Sequence, residues 1–282
     1  MFDKIGRGWQ LACLSLDVLR ANKVLLVFPL LTAGSMSLLF VSFMLPGWAI
    51  FGRYMHGAST HTDQLNGALL SFLFYWVNYT VVTFFNVALM AVTLDRLEGG
   101  EADITTGLSR ALAQWSSILA YSAIAATVGT VLHAIEERVG WLGQIVFGLL
   151  GLAWTVSVAL VVPVLAAEDA GPFEAVSRSA GLIKDAWGEG LVSAGSISYL
   201  TGLILVAVAL LGGGAAAGAF MHHFIAFGVL LGVLTISAFA FVLLVQETLE
   251  KINLAVLYRF ANGGVTPGYD AALLQGAFRG KN

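Results

Sequence analysis

Residues 174–189, EAVSRSAGLIKDAWGE, bring charged side chains into a chain that is otherwise strongly apolar. Hydrophobic residues make up 58% of its 282 residues and charged residues only 11%, and the mean hydropathy is +0.85. A soluble domain carries about 25% charged residues, so this composition indicates an integral membrane protein. In that setting, residues 174–189 belong either to a ligand site or to a helix lying on the membrane surface.

Six apolar runs are long enough to cross a bilayer, which takes about 20 helical residues. They lie at about 24–47, 68–93, 116–135, 141–166, 191–211 and 224–245. None of the six contains Asp, Glu, Lys or Arg. Proton-driven transporters and pumps hold ionisable groups inside the membrane, so this absence argues against energised transport.

The basic residues predict how the spans are oriented, because Lys and Arg accumulate in cytoplasmic loops. Of the 14 Lys and Arg, only Arg53 and Arg138 fall on one side of the six spans. The other side carries Lys4, Arg7, Arg20, Lys23, Arg96, Arg110, Arg178, Lys184, Lys251, Arg259, Arg279 and Lys281. We therefore expect both termini to lie in the cytoplasm.

Residues 174–189 fit an amphipathic helix in the connection between spans four and five. Val176, Ala180, Ile183 and Trp187 recur at helical spacing on one face, while charged residues such as Glu174 and Arg178 point elsewhere. The same spacing precedes span three, ending at Trp115, and precedes span one, where it includes Trp9. Because Trp favours the headgroup depth, we interpret all three segments as interfacial helices and their charges as a solvated face.

The predicted fold is an all-α polytopic membrane protein with six transmembrane helices arranged as three hairpins. Each hairpin is preceded by a cytoplasmic amphipathic interfacial helix. An N-terminal helix occupies 1–23, the six-span domain occupies 24–245 with amphipathic helices at about 103–115 and 172–187, and a cytoplasmic amphipathic helix and tail follow at 246–282.

Two motifs carry a resemblance to known proteins. NYTVVTFFNVALMA at 78–91 and VVPVLAAEDAGPFEAVSRSAGLIKDAWGE at 161–189 resemble a family of uncharacterised prokaryotic membrane proteins, filed as a domain of unknown function. The second motif is also distantly similar to the membrane domain joined to some glycerophosphodiester phosphodiesterases, whose soluble catalytic domain has no counterpart here. The resemblance implies six spans and a multi-pass protein of the prokaryotic cytoplasmic membrane, and it assigns no catalytic or binding residue.

No motif in the sequence carries chemistry. The chain has no G-x-S-x-G, H-E-x-x-H, P-loop or dinucleotide-binding glycine pattern, and Cys13 is its only cysteine. We therefore expect no enzyme activity, no catalytic residue and no cofactor. A net charge of −3 without a basic arm also argues against nucleic acid as a partner.

All five histidines fall on or near the predicted outer side, at His56, His61, His133, His222 and His223. Imidazole is a common ligand of divalent metals and also a group that titrates near neutral pH. The positions lack the fixed spacing of a metal motif. An extracytoplasmic metal or pH sensor is therefore a hypothesis that stands beside the simpler interpretation of scattered loop polarity.

Span two places Asn78 and Asn86 inside the hydrocarbon. Eight helical residues separate them by about 12 Å along the axis and about 80° around it, with Thr83 at the border of the same face. A buried amide without a partner costs roughly 2–7 kcal/mol, so neither is expected to face lipid. They either hydrogen-bond to a neighbouring helix or line a polar pathway.

These observations favour a non-enzymatic membrane protein that acts as a passive, channel-like conduit or a membrane-embedded assembly. A membrane scaffold or a lipid-binding partner protein is the alternative. The expected partners are the lipid bilayer, with a second copy of the chain and other membrane proteins as further candidates.

Overall fold

The structure, a computed structural model, describes residues 2–55, 60–136, 138–186 and 190–264. Throughout this part of the chain the only regular secondary structure is helical. The described residues form ten α-helices and a 3-10 turn at Lys23–Leu26. They are α1 (Phe2–Ala21), α2 (Val27–Met55), α3 (His61–Leu97), α4 (Ile104–Ala113), α5 (Trp115–Glu136), α6 (Trp141–Ser157), α7 (Val161–Ala167), α8 (Pro172–Ala186), α9 (Gly190–Met221) and α10 (Ile225–Ala261).

Six helical segments within the described residues are long and apolar enough to cross a membrane, so the protein is a multi-pass membrane protein. They are Lys23–Trp48, His61–Leu97, Trp115–Glu136, Trp141–Ala167, Thr201–Met221 and Ile225–Ala261. The prediction of six spans is confirmed at this level. Several helices run beyond the predicted ends. Helix α2 continues to Met55, α3 extends from His61 to Leu97, α9 continues through the glycine-rich residues 212–220, and α10 continues to Ala261.

The helices form two compact units, one from residues 1–29 and 186–282 and one from residues 30–185. In the first unit, α9 packs along α10, and α1 packs against both. The buried side chains of this unit include Leu11, Leu25, Phe28, Ile252 and Val256. Its core therefore lies where α1 meets the last turns of α10.

The second unit is organised around α3, which packs against α4, α5 and α7. The residues of α3 from Val87 to Met90 are fully buried, and so are Ile118 of α5 and Leu165 of α7. These contacts lie towards the C-terminal end of α3, which also carries Arg96. The most tightly packed part of the unit is therefore near Arg96, at the C-terminal end of α3.

The turn from α3 to α4 is fixed by glycine and by Asp95. Gly99 adopts a positive φ of 86°, which a residue with a side chain rarely adopts. A Cβ at Gly100 would collide with Oδ2 of Asp95. That oxygen accepts a hydrogen bond from the Ala102 N–H at 2.7 Å, so a side chain at residue 100 would displace the group that holds the turn.

Span four is interrupted between α6 and α7, although its sequence was predicted as one run. Pro163 has no N–H to offer Ala159, and its ring crowds the carbonyl at that position. The interrupted backbone finds a partner on α8, because the Ser179 hydroxyl donates to the Ser157 carbonyl at 2.7 Å and accepts from the Leu160 N–H at 3.0 Å. Ser179 has no exposed surface, so water is not available to replace it.

We expect Ser179→Ala to destabilise the protein by roughly 1–3 kcal/mol, because it leaves a buried donor and a buried acceptor unpaired. The measurement is thermal unfolding in detergent followed by circular dichroism. Ser177→Ala is the matched control, since Ser177 is exposed on the same helix and should change stability by less than about 0.5 kcal/mol. Equal melting temperatures for the two variants would contradict the role given to Ser179.

The start of α4 leads to a second prediction, which concerns how stability depends on pH. Asp103 caps this helix by accepting the Thr106 N–H at 2.9 Å. Together with the hydroxyls of Thr105 and Thr106, this bond lowers the pKa of Asp103 to about 2. A carboxyl with a lowered pKa stabilises the fold above its unfolded pKa of about 3.9, and the contribution is lost as the pH falls through the folded value.

The melting temperature of the wild-type protein should therefore fall between pH 4 and pH 2. The melting temperature of Asp103→Asn should fall less over that range. Asparagine also caps a helix but does not ionise. The difference should be small, because Asp103 is exposed to solvent. If both proteins lose the same melting temperature, ionisation of Asp103 does not contribute to stability.

Candidate functional site

Among the described residues, the amides predicted in span two make no hydrogen bond to another helix. Asn78 is half-buried, and its Nδ2 donates to the Phe74 carbonyl of the same helix at 2.7 Å. Asn86 and Thr83 are buried, with 6% and 3% of their surfaces exposed. Within the described residues, the Asn86 amide makes no hydrogen bond. The expected interhelical bonding of these amides is therefore absent from the described structure.

Trp76 makes the interhelical bond that sequence reasoning missed. Its Nε1–H donates to the Leu119 carbonyl of α5 at 3.2 Å, and Thr80 bonds back to the Trp76 carbonyl at 2.9 Å. The signal available in the sequence was that an indole N–H needs an acceptor inside the membrane. Leu119 could not be identified as that acceptor, because nothing in the sequence gives the register of α3 against α5.

Asn78 instead lines a cleft between α2 and α3, which we call the span-two cleft. It has a volume of about 480 Å³ and is lined by Met36, Phe74, Tyr75, Asn78, Tyr79 and Val82. Tyr75 is 61% exposed and Tyr79 is 40% exposed. No hydrogen bond joins either hydroxyl to another described residue. The cleft therefore combines apolar walls with phenol and amide groups near the middle of a span.

A second cleft lies in the other unit, between α1, α9 and α10, and we call it the α1 cleft. Its volume is about 250 Å³. The lining is apolar apart from the Gln246 amide, the Thr201 hydroxyl and the Cys13 thiol. The full lining is Ala12, Cys13, Leu16, Thr201, Ile204, Phe241, Val242, Val245, Gln246 and Leu249. The three helices thus surround a narrow space suited to an aliphatic chain.

A polar cluster adjoins the α1 cleft at Gln246. The Nε2 of Gln246 donates to Oε1 of Glu250 at 2.9 Å. The Ser198 hydroxyl of α9 donates to the same oxygen at 2.7 Å. The Glu250 carboxylate is therefore fixed between α9 and α10, one helical turn from a residue that lines the cleft.

The charged residues of the second unit serve its architecture. Arg110 of α4 donates to the carbonyls of Ala166 and Glu168 at 2.8 and 2.9 Å and contacts Oδ1 of Asp169 at 2.7 Å. The bond and the charge of Arg110 lower the pKa of Asp169. Because the carbonyls at a helix C-terminus lack intrahelical partners, Arg110 completes the end of α7.

The other described side chains that were singled out in the predicted interfacial helices also make contacts within this unit. Arg178 pairs with Glu168 at 3.4 Å, and Glu174 accepts weakly from the Gly171 N–H at 3.4 Å. Trp115 begins α5 rather than ending α4, and its ring meets Phe84 edge-on at 5.9 Å. Trp187 and the side chain of Trp9 lie outside the described residues.

The described histidines do not converge on a metal-binding group. Within the described residues, no three side chains of His, Cys, Asp or Glu could hold a metal ion. His61 begins α3, His133 lies near the end of α5, and His222 and His223 follow α9, all with exposed side chains. His56 lies outside the described residues. The metal or pH-sensing role stays a prediction without a described ligand set.

Comparison with known proteins identifies the family. The model of a family of unknown function, DUF6159, matches residues 65–268. The match covers more than half of the chain, which therefore belongs to this family. No curated protein and no solved structure matches the chain.

The contacts in span two give a direct test of which polar residue joins the helices. Trp76→Phe should lower the melting temperature, because it removes an interhelical bond worth about 0.6–2 kcal/mol. Asn78→Leu should change the melting temperature little, since the Asn78 amide bonds only within its own helix. If Asn78→Leu proves the more destabilising change in detergent, the interhelical contact has been assigned to the wrong residue.

Proposed function

We propose that this member of the DUF6159 family is a non-enzymatic membrane protein that binds lipid. The observation that carries the proposal is the α1 cleft, a space of about 250 Å³ with almost wholly apolar walls. Ligand sites are typically apolar spaces with few polar groups, and they often lie between helices. Lipid acyl chains are the most abundant groups of that shape and polarity around a membrane-spanning helix.

The placement of α1 supports the same proposal. We propose that α1, α4 and α8 are amphipathic interfacial helices, each before a transmembrane hairpin, and that the termini lie in the cytoplasm. The protein would then reside in the prokaryotic cytoplasmic membrane. The uneven distribution of Lys and Arg supports this orientation. A cleft between an interfacial helix and two spans would be open to a lipid arriving from the inner leaflet.

A passive conduit is the second candidate, favoured by the span-two cleft. The hydroxyls of Tyr75 and Tyr79 lie within a single span and pair with no other described residue, and an unpaired polar group in hydrocarbon costs several kcal/mol. Water or a permeating solute would pair them. A pore at this cleft would need further walls from a second copy or another membrane protein, for which the exposed apolar residues of α2, such as Leu38 and Val41, offer contact surface.

The residues that line the two clefts give no support to an enzymatic function. A reaction needs a nucleophile, a base or a metal in a defined geometry, and the polar groups lining the α1 cleft are an amide, a hydroxyl and a lone thiol. The distant similarity to the membrane domain of glycerophosphodiester phosphodiesterases is proposed here as a shared topology alone.

Lipid binding predicts a specific effect of filling the α1 cleft. In nanodiscs containing a phospholipid with a photoreactive acyl chain, wild-type protein should crosslink at residues of α1 and α10 that line the cleft. Ala12→Trp should reduce that crosslinking several-fold, because the indole occupies the space of the chain. Val242→Trp on the facing wall should have the same effect.

Leu210→Trp is the matched control, since this residue of α9 is 70% exposed and does not line the cleft. Its crosslinking should equal that of the wild type. Melting temperatures should show that all three variants are folded. Unchanged crosslinking in both cleft variants would refute the lipid site. Solute flux in liposomes that Asn78→Leu abolishes would favour the conduit instead.

A further inference from the structure

The carboxylate beside the α1 cleft suggests which lipid the cleft holds. Glu250 uses one oxygen, Oε1, to accept hydrogen bonds from Ser198 and Gln246. Its other oxygen has no hydrogen-bond partner among the described residues. A carboxylate held in place with one oxygen unused is a preorganised acceptor for a further donor.

The charges around this carboxylate leave a deficit of positive charge. Glu247 lies on the same helix, and both carboxylates attract the ammonium of Lys251. From Glu247 to Lys251, two carboxylates and one ammonium sum to a charge of −1, and the next charged residue along α10 is Arg259, eight residues further on. This short stretch of α10 is therefore complementary to one additional cation.

The distance along α10 matches the layout of a phospholipid. From Phe241, which lines the cleft, to Glu250 the helix rises about 13.5 Å. The apolar run of the sequence ends near Val245, after which charged residues begin. The part of the cleft lined by Phe241 and Val242 thus lies at the depth of an acyl chain, and its other end, at Gln246 and Leu249, lies beside Glu250 at the depth of a headgroup.

We propose that the α1 cleft and Glu250 together form a site for a phospholipid with a primary ammonium headgroup, of the phosphatidylethanolamine type. This inference rests on the proposed lipid binding. One acyl chain occupies the cleft, and the headgroup ammonium donates a charge-assisted hydrogen bond to Glu250. A choline headgroup carries the charge but cannot donate this bond, and a glycerol headgroup leaves the lipid anionic.

The experiment compares headgroups at constant acyl composition. Wild-type protein is reconstituted in nanodiscs containing photoreactive phosphatidylethanolamine, and the crosslink at the cleft is competed with unlabelled ethanolamine, choline or glycerol phospholipids. The ethanolamine lipid should compete about tenfold better than the glycerol lipid, since a hydrogen bond to a charged group contributes about that factor. The choline lipid should fall between them.

Glu250→Gln keeps the shape of the side chain and removes its charge. It should retain the acyl crosslink and lose the preference among headgroups, and Glu250→Ala should behave in the same way. Glu101→Gln is the control, because Glu101 is an exposed loop residue of the other unit, and it should keep the wild-type preference.

The outcomes separate the two proposals. Equal competition by the three headgroups in wild type, or a preference that survives in Glu250→Gln, overturns the headgroup inference and leaves acyl binding intact. If wild-type protein crosslinks no lipid at the cleft, both the headgroup inference and the proposed lipid binding are refuted. Crosslinks that join two copies of the chain through the cleft would show that a protein segment occupies it, which also overturns the inference.

Discussion

The constraint on which the rest of this structure depends is that a backbone inside a membrane must satisfy its own hydrogen bonds. Continuous helices meet it almost everywhere, and hydroxyls exposed along the spans, such as those of Ser37 and Thr155, bond to the carbonyl four residues earlier. Span four is an exception, because its helix is interrupted just before Pro163. Ser179 bonds to the Ser157 carbonyl and the Leu160 N–H at the interruption, so α8 contributes to the stability of the span.

The charged residues of the second unit follow from the same constraint. Arg110 donates to carbonyls beyond the last turn of α7, and Asp95 and Arg96 hold the turn that leads into α4. Each of these side chains satisfies backbone groups near a helix end. The positions of these charged residues are thereby explained by architecture. The candidate binding sites lie instead in clefts with few polar groups.

The two clefts also differ in what they offer to a ligand. The α1 cleft is narrow and apolar, with a fixed carboxylate near it. The span-two cleft is larger and contains two tyrosine hydroxyls that pair with no other described residue, at a depth where lipid tails cannot pair them. The first arrangement suits a lipid with a polar head at one end, and the second suits water or a solute. These chemical differences lead us to propose lipid binding at the α1 cleft and to keep a conduit as the candidate for the span-two cleft.

The sequence by itself determined the number of spans, because the length of an apolar run and the absence of charge within it are local properties. It also indicated short helices at Ile104–Ala113 and Pro172–Ala186, through helical spacing of their apolar residues. It did not reveal the break in span four, since an apolar run looks continuous whether or not its backbone is interrupted. It identified Asn78 as polar but not Trp76 as the interhelical contact, because a hydrogen bond between helices depends on their relative register. Only the tertiary structure decided the clefts, because each is formed by residues far apart in the chain, and no local pattern encodes the space between packed helices.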